Sequence, residues 1–149
     1  MANSGVFPVL NNKFKIGTKG KTSVDGDMAT IADMETFSIS IDGTVNDWTP
    51  MELEGWIRHL KTGMGITISL KGKRNVGDKG NDYIAGLAFK IGADAETKFE
   101  WEMFDGTKIT MDVVVNVKNI GGGESTDVAG LEFDVLSNGK PTVTTSEAA

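Results

Sequence analysis

The sequence predicts a mainly β protein with one short α-helix. Three observations carry that expectation. Apolar and polar residues alternate with period two through several segments, glycine-bearing turn signals separate those segments, and one stretch spaces its apolar residues for a well-formed helix. Period two sends successive side chains to opposite faces of a strand, so each such segment has one face to bury.

In chain order, the first alternating segment is ETFSISID (35–42), with Phe37, Ile39 and Ile41 as its apolar set. TPMELEGWIRHL (49–60) then opens like a helix, with Thr49, Pro50 and Glu52 spaced as N-cap, first residue and third residue. Gly55 inside it costs about 1 kcal/mol relative to alanine, so a helical turn or irregular loop is expected there. GITISLK (65–71) offers Ile66, Ile68 and Leu70 to a core.

The helix is expected within GKRNVGDKGNDYIAGLAFKIG (72–92). Ile84, Leu87, Ala88 and Ile91 fall at i, i+3, i+4 and i+7, with Asn81 or Asp82 as N-cap and Gly92 as stop. Further strands follow in KFEWEMF (98–104; Phe99, Trp101, Met103) and KITMDVVVNV (108–117; Ile109, Met111, Val113, Val115, Val117). Asp105-Gly106 between them suits a tight hairpin turn, which makes these two strands antiparallel neighbours. IGGGES (120–125) reads as a flexible connection. GLEFDVL (130–136) is the next strand, with Leu131, Phe133 and Val135 inward, and SNGKPTVTTSEAA reads as a turn and a polar tail.

A chain of 149 residues can form one domain with a real core, and 24% charged with 39% hydrophobic residues excludes wholesale disorder. The domain is expected to span 1–149, with flexible ends at 1–6 and 141–149. Fifteen basic against 21 acidic residues give a net charge of −6, which disfavours sequence-independent nucleic-acid binding over most of the surface. No cysteine is present, so disulfides, thiol nucleophiles and thiolate metal sites are excluded. The opening MANSGVFPVLNN has no basic-then-apolar signal pattern and no run approaches the ~20 apolar residues of a membrane span. A cytoplasmic product with no membrane partner is therefore expected.

Catalytic and metal chemistry finds little support. His59 is the lone histidine, so a two-histidine metal site is impossible and a surface or packing role is the better reading. DGDMATIADME (25–35) fails as a calcium loop, because Ala29 stands at a ligand position and the required glycine is missing. The glycine-rich stretches lack the GxxxxGK[ST] spacing of a phosphate cradle. Glu100 and Glu102 lie two apart on one strand face, which fits an outward stripe better than a glycosidase pair. No cofactor is expected. Lys71, Lys73, Arg74 and Lys79 cluster beside the helix, as a solvated loop or as a complement to carboxylates on a partner, for which a second copy of this acidic chain qualifies.

Taken together, PVLNNKF, ADMETFSISIDG…NDWTPMELEGWIRHLKTG, GKRNVGDKGNDYIAGLAFK, FEWEMFDGTKI and NVKNIGGGESTDVAGLEFDVLSNGKPTV resemble the major tail tube proteins of long-tailed bacteriophages or phage-tail-like bacteriocins, from about Phe7 to Val143. The resemblance implies an antiparallel β-sandwich or barrel-like domain with one helix packed at its side. It also implies six-fold rings stacked into a hollow tube, no enzymatic activity, and location in the virion tail after a stage in the host cytoplasm. The partners so implied are the chain itself, other tail proteins, and DNA that passes without stable binding. On that reading Ile84, Leu87, Ala88 and Ile91 pack the helix, and Lys71, Lys73, Arg74 and Lys79 meet a neighbouring subunit. Strand alternation further assigns Glu100, Glu102, Asp112, Glu132 and Asp134 to the face opposite the core, which in a tube is expected to line the lumen and repel phosphates. The competing expectation is a monomeric carbohydrate-binding β-sandwich module using Trp48, Trp56 and Trp101, although Trp101 sits in a core stripe.

Overall fold

The computed structural model describes residues 5–6, 8–104 and 106–145. Among these, eight strands join one antiparallel sheet: β1 (Lys13–Gly17), β2 (Met28–Thr30), β3 (Met34–Trp48), β4 (Arg58–Lys73), β5 (Glu96–Glu102), β6 (Lys108–Ile120), β7 (Gly130–Ser137) and β8 (Thr142–Thr144). The strand order is β2-β1-β5-β6-β7-β4-β3, and β8 also pairs with β6. One α-helix, α1 (Lys79–Gly86), links β4 to β5 and packs on β1, β2 and β6. No helix among the described residues is long and apolar enough to cross a membrane.

The long strand β6 organises the sheet. Its first half pairs with β5 from Lys108 to Val114, and its second half pairs with β7 from Val113 to Ile120. The sheet then curls. Phe14 of β1 and Phe37 of β3 are separated in the strand order by β5, β6, β7 and β4, yet their rings meet edge-on at 4.9 Å. Phe37 also reaches Trp101 at 5.8 Å. A flat sheet cannot make those contacts, so this is the sandwich-like or barrel-like form expected from the sequence. The alternating stripes supply its filling, with Phe99, Met111, Val113, Val115, Leu131, Phe133, Val135, Ile68 and Leu70 buried. Ile84 and Leu87 of α1 complete the cluster.

Several expectations need correction. Ile41 is 60% exposed, because it pairs with Ile66 one step past Thr67, the last residue of β4 that β7 covers. The helix starts and stops earlier than its apolar spacing indicates. Asp78, not Asn81 or Asp82, is the N-cap, and Leu87 follows the last helical residue, Gly86. Ile91 lies beyond the helix in extended backbone and is 86% exposed. Gly92 opens a short 3-10 turn instead of stopping α1. In the 49–60 segment the expected helical turn is present as a 3-10 turn at Met51–Leu53. Pro50 occupies its N-cap position without a side-chain cap, so Thr49 does not play that part.

The β5–β6 hairpin is as expected, although its loop is longer than two residues. Gly106 N–H donates to Met103 O at 3.0 Å and Met103 N–H donates to Thr107 O at 2.8 Å, with Gly106 at φ 89°. Asp105 itself lies outside the described residues. Of the ends expected to be flexible, 1–4 and 146–149 also lie outside them, whereas Thr142–Thr144 pair with Lys108–Thr110 instead of forming a plain tail.

Candidate functional site

Three surfaces hold the residues singled out by the sequence. The first is the outward face of the sheet, where strand register brings the five carboxylates onto one surface. Glu100 stands opposite Lys15 and Thr110, Glu102 opposite Lys13 and Lys108, Asp112 opposite Lys98, Glu132 opposite Lys71, and Asp134 opposite Ser69 and Asn116. Opposite charges across a strand pair attract, and the spacing is short. Lys98 reaches Asp112 at 3.1 Å, Lys108 reaches Glu102 at 3.7 Å, Lys71 reaches Glu132 at 3.4 Å, and Lys118 reaches Asp134 at 2.9 Å. Glu100 alone of the five forms no such pair among the described residues.

Four of the five carboxylates on this face are therefore charge-matched. Partial burial raises the Asp134 pKa, but hydrogen bonds from Lys118 and Ser69 and the Lys118 charge outweigh it, holding the carboxyl below its ordinary value. Of these lysines, Lys98, Lys108 and Lys118 were the part that sequence reasoning missed. The signal was available, since Lys98 and Lys108 occupy the same period-two positions as the carboxylates they pair with.

The second surface is the basic loop. Lys71 pairs with Glu132, Lys73 pairs with Glu35 at 3.1 Å, and Arg74 pairs with Asp82 at 2.8 Å. Arg74 is built into the fold. Its Nη1 also donates to Asn81 Oδ1 at 2.8 Å, and Asp82 accepts in addition from Gly77 N–H at 3.1 Å. The Arg74 hydrogen bond, opposed by some desolvation and helped by the Gly77 amide and the Arg74 charge, lowers the Asp82 pKa. Lys79 is exposed at the first turn of α1.

The third surface was not anticipated. Past Thr67, β4 keeps only β3 as a neighbour, so residues from Ile41↔Ile66 to Trp48↔Arg58 form a two-stranded arm that leaves the sheet. Its tip turns through Glu54 at φ 53° and Gly55 at φ 96°. Val45, Trp48, Met51, Trp56, Ile57, Leu60 and Met64 are all exposed on it, Trp56 at 77%. A lone two-stranded hairpin is marginal in water, and a run of exposed apolar side chains marks a contact surface. The guanidinium of Arg58 lies 5.4 Å from the Trp48 ring, and His59 sits exposed beside them. Trp101 is engaged elsewhere, with its ring on Phe37 and its indole N–H donating to Asn12 Oδ1 at 3.0 Å.

Neither a protein-family model nor a curated protein matches the chain. Solved structures do match. A chain from the tail of an empty gene transfer agent particle, refined with C6 symmetry, aligns with TM-score 0.76 at 19% identity over 94% of this chain and 100% of its own length. A chain of the virion of a native gene transfer agent particle aligns with TM-score 0.70 at 18% identity over the same shares. The tube-terminating cap of the anti-feeding prophage aligns with TM-score 0.61 at 10% identity, over 98% of this chain and 95% of that one. The fold implied by the resemblance to tail tube proteins is thus the fold observed.

Proposed function

We propose that this chain is a structural subunit of a phage-type tail tube, assembling with itself into stacked six-fold rings that form a conduit for DNA. The arm carries this reading. A hairpin that exposes Trp56, Ile57 and Leu60 away from the core gains a stable environment when a second copy covers it, and repetition of that contact builds a polymer. Support comes from the fold shared with a tail chain of C6 symmetry.

In such a tube the outward face of the sheet lines the channel, bringing Glu100, Glu102, Asp112, Glu132 and Asp134 to the lumen together with their lysines. DNA slides past without stable binding, because a face whose charges are paired offers no net positive field to hold phosphate. Lys73 and Lys79 lie toward neighbouring subunits, Lys71 stays with Glu132 on the channel face, and other tail proteins cap the ends. The role is mechanical and involves no catalysis. Before assembly the subunit resides in the host cytoplasm.

Electron microscopy and sedimentation of the purified protein over a wide concentration range test this. Rings or tubes are expected at high concentration or when tail initiators are supplied. Replacing Trp56 and Leu60 by Asp is expected to abolish them while leaving the folded monomer intact. A wild-type protein that stays monomeric under all these conditions overturns the proposal.

A further inference from the structure

Two apolar features at different places on the domain remain unexplained by the arm. Directly after α1 the chain turns back through hydrogen bonds from Leu87 N–H to Ile84 O at 3.0 Å, Ala88 N–H to Ala85 O at 3.2 Å and Lys90 N–H to Leu87 O at 3.1 Å. That turn holds Phe89 out at 90% exposure and Ile91 at 86%, with Lys90 between them. It is an apolar knob with a cation at its centre, and its backbone is already ordered. The second feature is a groove of about 310 Å³ between the N-terminal 3-10 turn and the start of β3. Phe14, Ile31 and Phe37 form its floor, Leu10 a wall, and Asp33 and Glu35 its rim. Lys13 also borders it, its charge partly answered by Glu102 at 4.0 Å; Glu35 is itself paired with Lys73 at 3.1 Å, whereas Asp33, which accepts from Asn75 Nδ2 at 2.6 Å, has no ion pair among the described residues.

We infer that the Phe89-Lys90-Ile91 knob of one copy seats in the Leu10-Phe14-Phe37 groove of the next copy, with Lys90 meeting the Asp33 and Glu35 rim. Shape class and charge sign both match: apolar residues meet an apolar floor, and the cation reaches Asp33, which has no ion pair of its own among the described residues, and shares Glu35 with Lys73. A knob and a groove on different patches of one chain make a heterologous, head-to-tail contact, which closes into a ring when its rotation divides the circle. This deepens the tube proposal and rests on it. The contact is separate from the arm, so the two can fail independently.

The absence of native cysteine makes the test direct. A chain carrying both Phe89→Cys and Leu10→Cys, concentrated and mildly oxidised, is expected to give a ladder of covalent multimers beyond the dimer. Each single variant is expected to stop at dimer at most. Lys90→Glu is expected to raise the concentration needed for assembly by about tenfold, and Lys90→Glu combined with Glu35→Lys to recover most of that loss. Polymers that form normally without a ladder, and whose assembly ignores Lys90→Glu, overturn this contact and leave the tube reading standing. A wild-type chain that never assembles overturns both.

Discussion

Asn81 has no exposed surface and uses its whole amide. Its Nδ2 donates to Lys73 O at 2.9 Å and Ala32 O at 3.2 Å, while its Oδ1 accepts from Arg74 Nη1 at 2.8 Å and Asn75 N–H at 3.0 Å. An isosteric apolar residue leaves those partners facing a dry wall. Asn81→Leu is therefore expected to cost about 3 kcal/mol of stability, measured by urea unfolding, which exceeds most single substitutions. Asp82 beside it supplies a pH dependence. Its folded pKa lies below the unfolded value of about 3.9, so its stabilising share is complete above that value and is lost as pH falls through the folded pKa. Asp82→Asn is expected to lower stability at neutral pH and flatten the loss of stability below about pH 4, read from melts across that range. A variant curve parallel to wild type through the acid range refutes the role given to the Arg74 pair.

At the scale of elements, the end of α1 separates packing from display. Leu87 is buried in the core cluster and Ile91, four residues on, stands in solvent. Leu87→Asp buries an unpaired carboxylate and is expected to cost several kcal/mol, about 3 or more, in thermal or urea unfolding. Ile91→Asp and Lys79→Ala are each expected to stay within about 1 kcal/mol of wild type in the monomer. Comparable losses for Leu87→Asp and Ile91→Asp show that the helix packs on its full apolar spacing after all. The helix start is fixed equally firmly from the other side. A Cβ on Gly80 would collide with the backbone of Thr30, and Asp78 Oδ2 accepts from both Asn81 N–H at 3.0 Å and Ala32 N–H at 3.1 Å. Gly80 thus permits α1 to press against the end of β2.

For the whole molecule, the pairing of charges on the outward face alters what the proposed tube would present to DNA. Carboxylates alone would repel phosphate, whereas carboxylates matched by Lys98, Lys108, Lys71 and Lys118 leave a weak net field. Glu100 and Glu102 offer the means to unbalance it, because Lys15, Lys13 and Lys108 stand across from them. Converting both to Lys sets like charges opposite Lys13, Lys15 and Lys108, so it is expected to cost the folded monomer about 1–2 kcal/mol without unfolding it and to make assembled particles retain DNA in a manner relieved by salt. An assembled structure with this face on the outside of the tube refutes the lumen assignment without touching the fold.

The sequence by itself determined the central stretches of β3 to β7, the faces they present and the outward position of all five carboxylates, since a period-two pattern decides which side of a strand each residue takes, but it did not reveal β1, β2 and β8, which span only three to five residues each. Phe99, Met111 and Val113 entered the core as their spacing required, and the glycine at 106 closed the hairpin between them. Periodicity does not say whether another layer exists to cover the apolar side. Ile39 and Ile41 belong to one stripe, yet the first packs against the core and the second projects along the arm, because β7 stops pairing with β4 at Thr67. The capping of α1 was hidden for a related reason. Asp78 is selected by the amide of Ala32, a residue distant in sequence that the curled sheet brings beside it. Only the tertiary structure decided these points, because each depends on a neighbour supplied by chain closure and not on the residues within the segment.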